Sequence, residues 1–314
     1  MGAQKAEPCC ILTIVGHNPC GFWHLIGREI MKKQLVTILA GGCLLAATLA
    51  VGAERTPEPI KTLSPETGSD IEFKLSYDAF KGVELDEVED FDGWTAMAEV
   101  SMPFADRFRI RLSYPFKTKG DAVVKSEHFI MPGESIDVDG NGGVFDFLTF
   151  TFEHQLQSSA DASYGLAYYI GGGAVPAPLD TTLARPGSGF DAINHTGTVF
   201  LAGVKMDKIH SFGHALGNFG LRYYGSSDDL NPGNNDQFAV ADLKLAMLFT
   251  PWGMLHPVVE LTYLGDFSGM NQFTLYPELL FPAGEHVDLK AGAAIGLGGN
   301  GNEFGGQAQV VVKF

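Results

Sequence analysis

The stretch Asp70-Ile71-Glu72-Phe73-Lys74-Leu75-Ser76-Tyr77-Asp78 decides how the chain is read. Ile71, Phe73, Leu75 and Tyr77 fall at every second position, and acidic, basic or hydroxyl residues fill the places between them. Successive side chains of a β-strand point to opposite faces, so this strand has one apolar and one polar face. Wound as a helix, the same residues would drive charges into the apolar stripe.

The alternation recurs to the end of the chain. Comparable segments occupy 94–102, 108–114, 148–152, 164–170, 195–205, 219–223, 243–249, 259–263, 273–281, 287–297 and 304–314, with 195–205 ambiguous in phase. That makes twelve candidate strands. Strands of about 9–11 residues can cross a bilayer when tilted, and an even number returns both ends to one side. A spanning sheet has to close, because an open edge in lipid leaves backbone groups unpaired. The segments between strands support this reading. Long 80–91, short 103–105, long 116–143, short 157–161 and long 172–194 alternate clearly, and the contrast fades beyond 206–213. Short turns on one side and longer loops on the other are the pattern of a membrane barrel. A soluble barrel also alternates, but its polar face meets water and is richly charged. Here that face often carries Gly, Ser, Thr, Asn and Gln, which suits a lumen.

Composition narrows the function classes. The formal net charge of −16 repels phosphate backbones, so no nucleic-acid partner is expected. All four cysteines lie at or before Cys43, which leaves the strand region without thiols. Met31, Lys32 and Lys33 open a basic and then apolar run that ends in Val51-Gly52-Ala53, the form of a secretory signal peptide. The expected organisation is an upstream extension 1–30 preceding the true start, a signal peptide 31–53, a proline-bearing periplasmic tail or linker 54–69, and a barrel 70–314.

The last strand carries a family likeness. Val310, Val312 and the terminal Phe314 lie in phase, and this segment resembles the C-terminal strand of bacterial outer-membrane proteins. The resemblance implies a closed antiparallel transmembrane β-barrel of about twelve strands in the bacterial outer membrane, with short periplasmic turns and longer extracellular loops. It also implies lipid and lipopolysaccharide as surroundings, and a barrel assembly machinery that reads Phe314.

With the apolar faces turned to lipid, the alternation places Glu72, Lys74, Glu99, Arg107, Arg109, Arg111 and Glu153 in the lumen. Arg222, Asp242, Lys244, Glu260, Glu278, Asp288 and Lys290 join them. Opposed charge rows in a narrow pore select solutes by charge and size. The expected function is passive diffusion of small solutes through this charged lumen, below an acidic outer mouth that includes Glu84, Asp86 and Asp228. The alternatives are an outer-membrane lipid hydrolase or protease, and an occluded structural or adhesive barrel. An enzyme needs a nucleophile, a base and an orienting group within reach of one another. His210 and Ser211 are adjacent and would face opposite ways in a strand, and His195 has no evident partner, so no enzyme is expected. No cofactor is expected, apart from Ca2+ in an outer loop. Asp137, Asp139 and Asn141, followed by Gly142, match the first half of a calcium-binding loop, although Leu148 stands where a terminal Glu belongs.

Overall fold

The computed structural model describes residues 57–83, 88–124, 133, 135–140, 148–174, 181–182, 197–226, 238–265, 271–299 and 303–314. Its strands in chain order are β1 (Glu72–Val83), β2 (Val88–Ala105), β3 (Phe108–Val124), β4 (Ser135–Gly140), β5 (Leu148–Gln157), β6 (Gly165–Ala174) and β7 (Thr181–Thr182). They continue with β8 (Gly197–His210), β9 (Gly213–Ser226), β10 (Phe238–Phe249), β11 (His256–Gly265), β12 (Asn271–Pro282), β13 (Val287–Gly299) and β14 (Phe304–Lys313).

Twelve of these strands close a ring in which each pairs antiparallel with its neighbours, and β1 joins the C-terminal β14 with Phe73 opposite Val312. The backbone of Ile71 and Phe314 completes that seam with mutual hydrogen bonds of 3.2 and 2.9 Å. The remaining two strands belong to one outer extension. The lower part of β3, from Phe108 to Ser113, pairs with β5, while its upper part, from Thr118 to Val123, pairs with β4, which in turn carries β7. Because β3 is 17 residues long and a crossing needs about 9–11, its upper part stands outside the bilayer.

The hydrophobic effect is inverted relative to a water-soluble protein, as the alternation requires. Phe73, Leu75 and Tyr77 are exposed, while Lys74 retains 2% of its surface and Ser76 4%. Phe150, Leu245 and Ile295 are all exposed on the outer wall. Buried residues include Glu260, Asp288, Lys205 and Arg111. Only a surrounding of lipid makes this arrangement favourable, because an apolar exterior in water would cost about 25 cal/mol per Å2. Near the periplasmic end, Phe104, Phe108 and Phe152 form a ring cluster with centroids 5.5–5.9 Å apart, and His154 stacks on Phe108. Aromatic girdles of this kind mark membrane interfaces.

Three features differ from the sequence reading. Residues 206–213, expected as a connection, instead extend β8 and β9 and leave only Ser211 and Phe212 as the turn. Gly213, at φ +157°, lets the backbone approach Leu248 so closely that a Cβ there would sit 2.2 Å from its carbonyl oxygen. The Asp-Val-Asp-Gly segment, expected as the first half of a loop, is instead part of strand β4, since Ser135–Gly140 pairs with β3 along its length. Residues 57–67, within the expected tail 54–69, are packed against inward-facing side chains of the barrel. The cause is polar: their backbone finds hydrogen-bond partners on several strands.

Candidate functional site

Inward-facing positions bring most of the expected charged residues together. Glu153 on β5 is the hub of one cluster, 2.8 Å from Arg109, 3.5 Å from Arg111 and 2.5 Å from Lys205. Arg111 also reaches Glu99 at 3.4 Å, and Glu99 lies 3.3 Å from Lys74. Lys74 in turn approaches Glu72 at 3.4 Å, and Lys313 ties Glu72 to Asp288 at 3.1 and 3.4 Å. Across the lumen, Asp242 pairs with Arg222 at 2.5 Å and with Lys244 at 3.3 Å. Each charge is thereby compensated in a confined space, where an unpaired ion would be costly.

Arg107 is the exception. It lies in the turn between β2 and β3, is exposed, and donates a long hydrogen bond to the carbonyl of Leu156. The strand begins one residue later, so the expected basic ladder has two members on the wall, Arg109 and Arg111. Several inward residues were not foreseen. Lys205 and Asp207 lie on β8, whose phase the sequence left open, and Asp207 binds His214 at 2.8 Å. Asn218, Gln155, Gln307 and Gln309 are also buried, but uncharged amides gave no reason to single them out. At the periplasmic end, Leu216, Ala246, Leu248, Val258 and Leu280 form a small apolar cluster among inward positions of β9 to β12. On these strands the sequence reading had singled out only the charged inward positions.

The N-terminal segment completes the site. Glu260 accepts hydrogen bonds from the backbone of Lys61 at 3.1 Å and Thr62 at 2.6 Å, and Glu278 accepts one from Ile60 at 3.2 Å. Asn218 clasps Leu63 at both its N–H and its carbonyl, each at 2.8 Å. Arg109 donates to the Ser64 carbonyl at 3.2 Å. Closer to the periplasmic turn between β5 and β6, Glu66 accepts from Ser158 and from both donors of Ser159. Side chains add to this. Glu58 lies 3.4 Å from Lys74, and Lys61 lies 2.8 Å from Asp78. Thr62, Ser64 and Thr67 are buried, as are Pro57, Pro59 and Pro65.

Cavities adjoin this inserted segment. One of about 170 Å3 is lined by Leu63, Glu99, Arg111, Glu153, Tyr169 and Lys205, and one of about 180 Å3 by Lys61, Asp78, Thr274 and Tyr276. Arg222, Asp242 and Lys244 line both. A third cavity, of about 270 Å3, lies at the periplasmic end against Pro57, Pro59, Ser69, Glu72 and Lys313.

Of the expected calcium ligands, Asn141 lies outside the described residues. Both carboxylate oxygens of Asp139 are engaged, one by Lys117 and the other by Lys119 at 2.8 Å. Those two ammonium groups hold the Asp139 carboxyl below its ordinary range. Asp137 instead hydrogen-bonds Asp121, whose carboxyl is raised by that contact. No cluster of three or more His, Cys, Asp or Glu residues suited to a metal occurs among the described residues. His195, Glu84, Asp86 and Asp228 lie outside them. His210 ends β8 with its ring stacked on Phe212, beside Ser211 in the turn.

No protein-family model matches the chain, and no curated protein matches it. Among solved structures, an outer membrane channel from Pseudomonas putida F1 superposes with a TM-score of 0.53 at 12% identity, covering 83% of this chain and 100% of that one. The outer membrane channel DcaP of Acinetobacter baumannii gives a TM-score of 0.33 at 9% identity, over 81% of this chain and 100% of that one. The CymD monoaromatic hydrocarbon channel gives 0.36 at 8% identity, over 78% of this chain and 87% of that one. The first of these likenesses shows the fold, a closed twelve-stranded barrel of the bacterial outer-membrane type. With its lipid-facing exterior, the chain is an outer-membrane β-barrel.

Proposed function

We propose that the chain is a passive channel for small polar solutes, narrowed by its own residues 57–67. The observation that carries this reading is the inverted wall: ionisable side chains line the inside of a closed barrel, and several of them border cavities next to the inserted segment. A barrel that served only as a structural shell would gain more from a packed apolar interior, because buried ion pairs contribute little net stability. Their expense is understandable where a solute has to exchange its hydration for wall contacts during passage. The exposed Asp90, Asp121 and Asp137 suit an acidic outer mouth that gathers cations. Lipopolysaccharide around the outer wall, and an assembly machinery reading the exposed Phe314, belong to the same proposal.

Planar-bilayer recording of the refolded protein tests it. The expected result is small single-channel currents, rising several-fold when residues 57–66 are deleted. Changing Arg109 and Arg111 to Ala should increase cation preference. Silence in both the intact and the shortened barrel would exclude a conducting role.

A further inference from the structure

We propose that the lumen wall is a binding site for short zwitterionic peptides, and that residues 57–67 occupy it as a built-in surrogate. This rests on the channel reading and names its substrate class. Over residues 60–64 the wall holds the segment mostly through peptide groups. Asn218 takes the N–H and carbonyl of Leu63, Glu260 takes two successive N–H groups, Glu278 takes a third, and Arg109 takes the Ser64 carbonyl. None of these contacts depends on the side chains of residues 60, 62, 63 or 64, so any peptide presenting the same donors and acceptors can replace them.

A buried coil needs its backbone paired in any protein, so pairing alone would not point to a ligand. The distribution of charge does. Two carboxyl groups, Glu260 and Glu278, are buried side by side and hydrogen-bonded to each other, aimed at neutral N–H donors. On the basic side, Lys74 meets the Glu58 carboxylate, and the ammonium of Lys61 is held by Asp78. The segment thus offers carboxylate to a basic wall, and N–H donors and ammonium to acidic groups. A short peptide running in the opposite direction would set its terminal carboxylate at Lys74 and its terminal ammonium at the Glu260–Glu278 pair, in place of the Glu58 carboxylate and the segment's N–H donors. Removing the segment without replacement would strand charged groups of both signs, which is costly. Exchange for an incoming peptide avoids that cost, and the adjoining cavities of about 170 and 270 Å3 give it room to approach.

The test uses the full chain with triglycine as the zwitterionic probe and glucose as a neutral solute of similar mass. Binding is read by calorimetry on the detergent-solubilised barrel, and permeation by swelling of proteoliposomes. Correct folding of each variant is checked by its shifted gel mobility before and after heating. Triglycine should bind wild type, and bind Glu58→Ala about ten-fold more tightly, because that variant loosens the surrogate. In a barrel lacking residues 57–66, where loss of the surrogate cannot offset the effect, Glu260→Gln with Glu278→Gln should weaken binding at least about ten-fold. In liposomes triglycine should enter faster than glucose. No triglycine binding to folded wild type and Glu58→Ala overturns the inference, as does unchanged affinity in the double variant. If both solutes enter at equal rates without binding, the peptide site fails and the channel stands. If triglycine binds but neither solute enters, the channel fails and the site stands.

Discussion

At the scale of single residues, Glu153 is the most consequential side chain on the wall. It is 3% exposed and compensates Arg109, Arg111 and Lys205 at once. Replacing it with Gln keeps the shape and leaves three neighbouring cations with one fewer counterion. Loss of one partner from a buried pair costs about 3–5 kcal/mol. Urea unfolding in lipid vesicles should show a loss of that size, and adding Lys205→Met should recover part of it. Equal, additive losses would mean that the two groups do not interact. Glu153 was legible in the sequence because Phe150 and Phe152 fix the phase of its strand. Lys205, its closest partner, was not, since the stretch around Gly203 offers too few large apolar residues to tell one face from the other. Arg107 was misread for a related reason. Alternation runs on past a strand's end, and nothing in the side-chain pattern marks where the backbone turns.

At the scale of elements, the transmembrane strands were legible and the inserted segment was not. Alternation is a property of strands, and residues 57–67 are coil held by scattered partners up to 231 positions away in the chain. Three prolines within a polar stretch look the same whether the stretch lies in water or in a polar lumen. The β3–β4 extension was hidden too, because its acidic residues resemble a metal loop as much as a strand. Its electrostatics make a prediction. Asp139 is held low by Lys117 and Lys119, whereas Asp121 is raised by Asp137. A depressed carboxyl stabilises the fold above its unfolded value, near 3.9, and this contribution is lost as pH falls through the folded value. A raised carboxyl acts with opposite sign and favours the folded form as it becomes protonated. On acidification Asp121 should therefore titrate first without loosening the hairpin. Amide-exchange protection between β3 and β4 should fall only when Asp139 titrates. Carboxyl chemical shifts followed by NMR check the order, and Lys117→Met should move the Asp139 midpoint upward. The reverse order would remove the two lysines as its cause.

At the scale of the whole molecule, a single choice of side organises everything else: apolar faces outward, polar faces inward. It explains why the ring must close, why Lys74 is buried between exposed neighbours, and why a polar N-terminal segment finds partners inside the barrel. The choice can be tested on one strand. Leu245 lies in mid-β10 and is 47% exposed, while Ala246 beside it faces inward and Lys244 lines a lumen cavity. Arginine at position 245 would place a charge in hydrocarbon, at a cost of about 2–4 kcal/mol near the bilayer midplane. Leu245→Phe keeps the apolar surface and should change stability little, since a lipid-facing side chain has no rigid cavity to overfill. In a water-soluble barrel with its apolar side inward, the order of harm would differ. Both substitutions would then strain a packed core, and the larger ring would no longer be tolerated. Folding free energies of Leu245→Arg and Leu245→Phe in the same vesicles decide between the two. A large loss for Arg with little change for Phe supports lipid contact. Comparable losses for both would place Leu245 in a core and reverse the assignment of inside and outside.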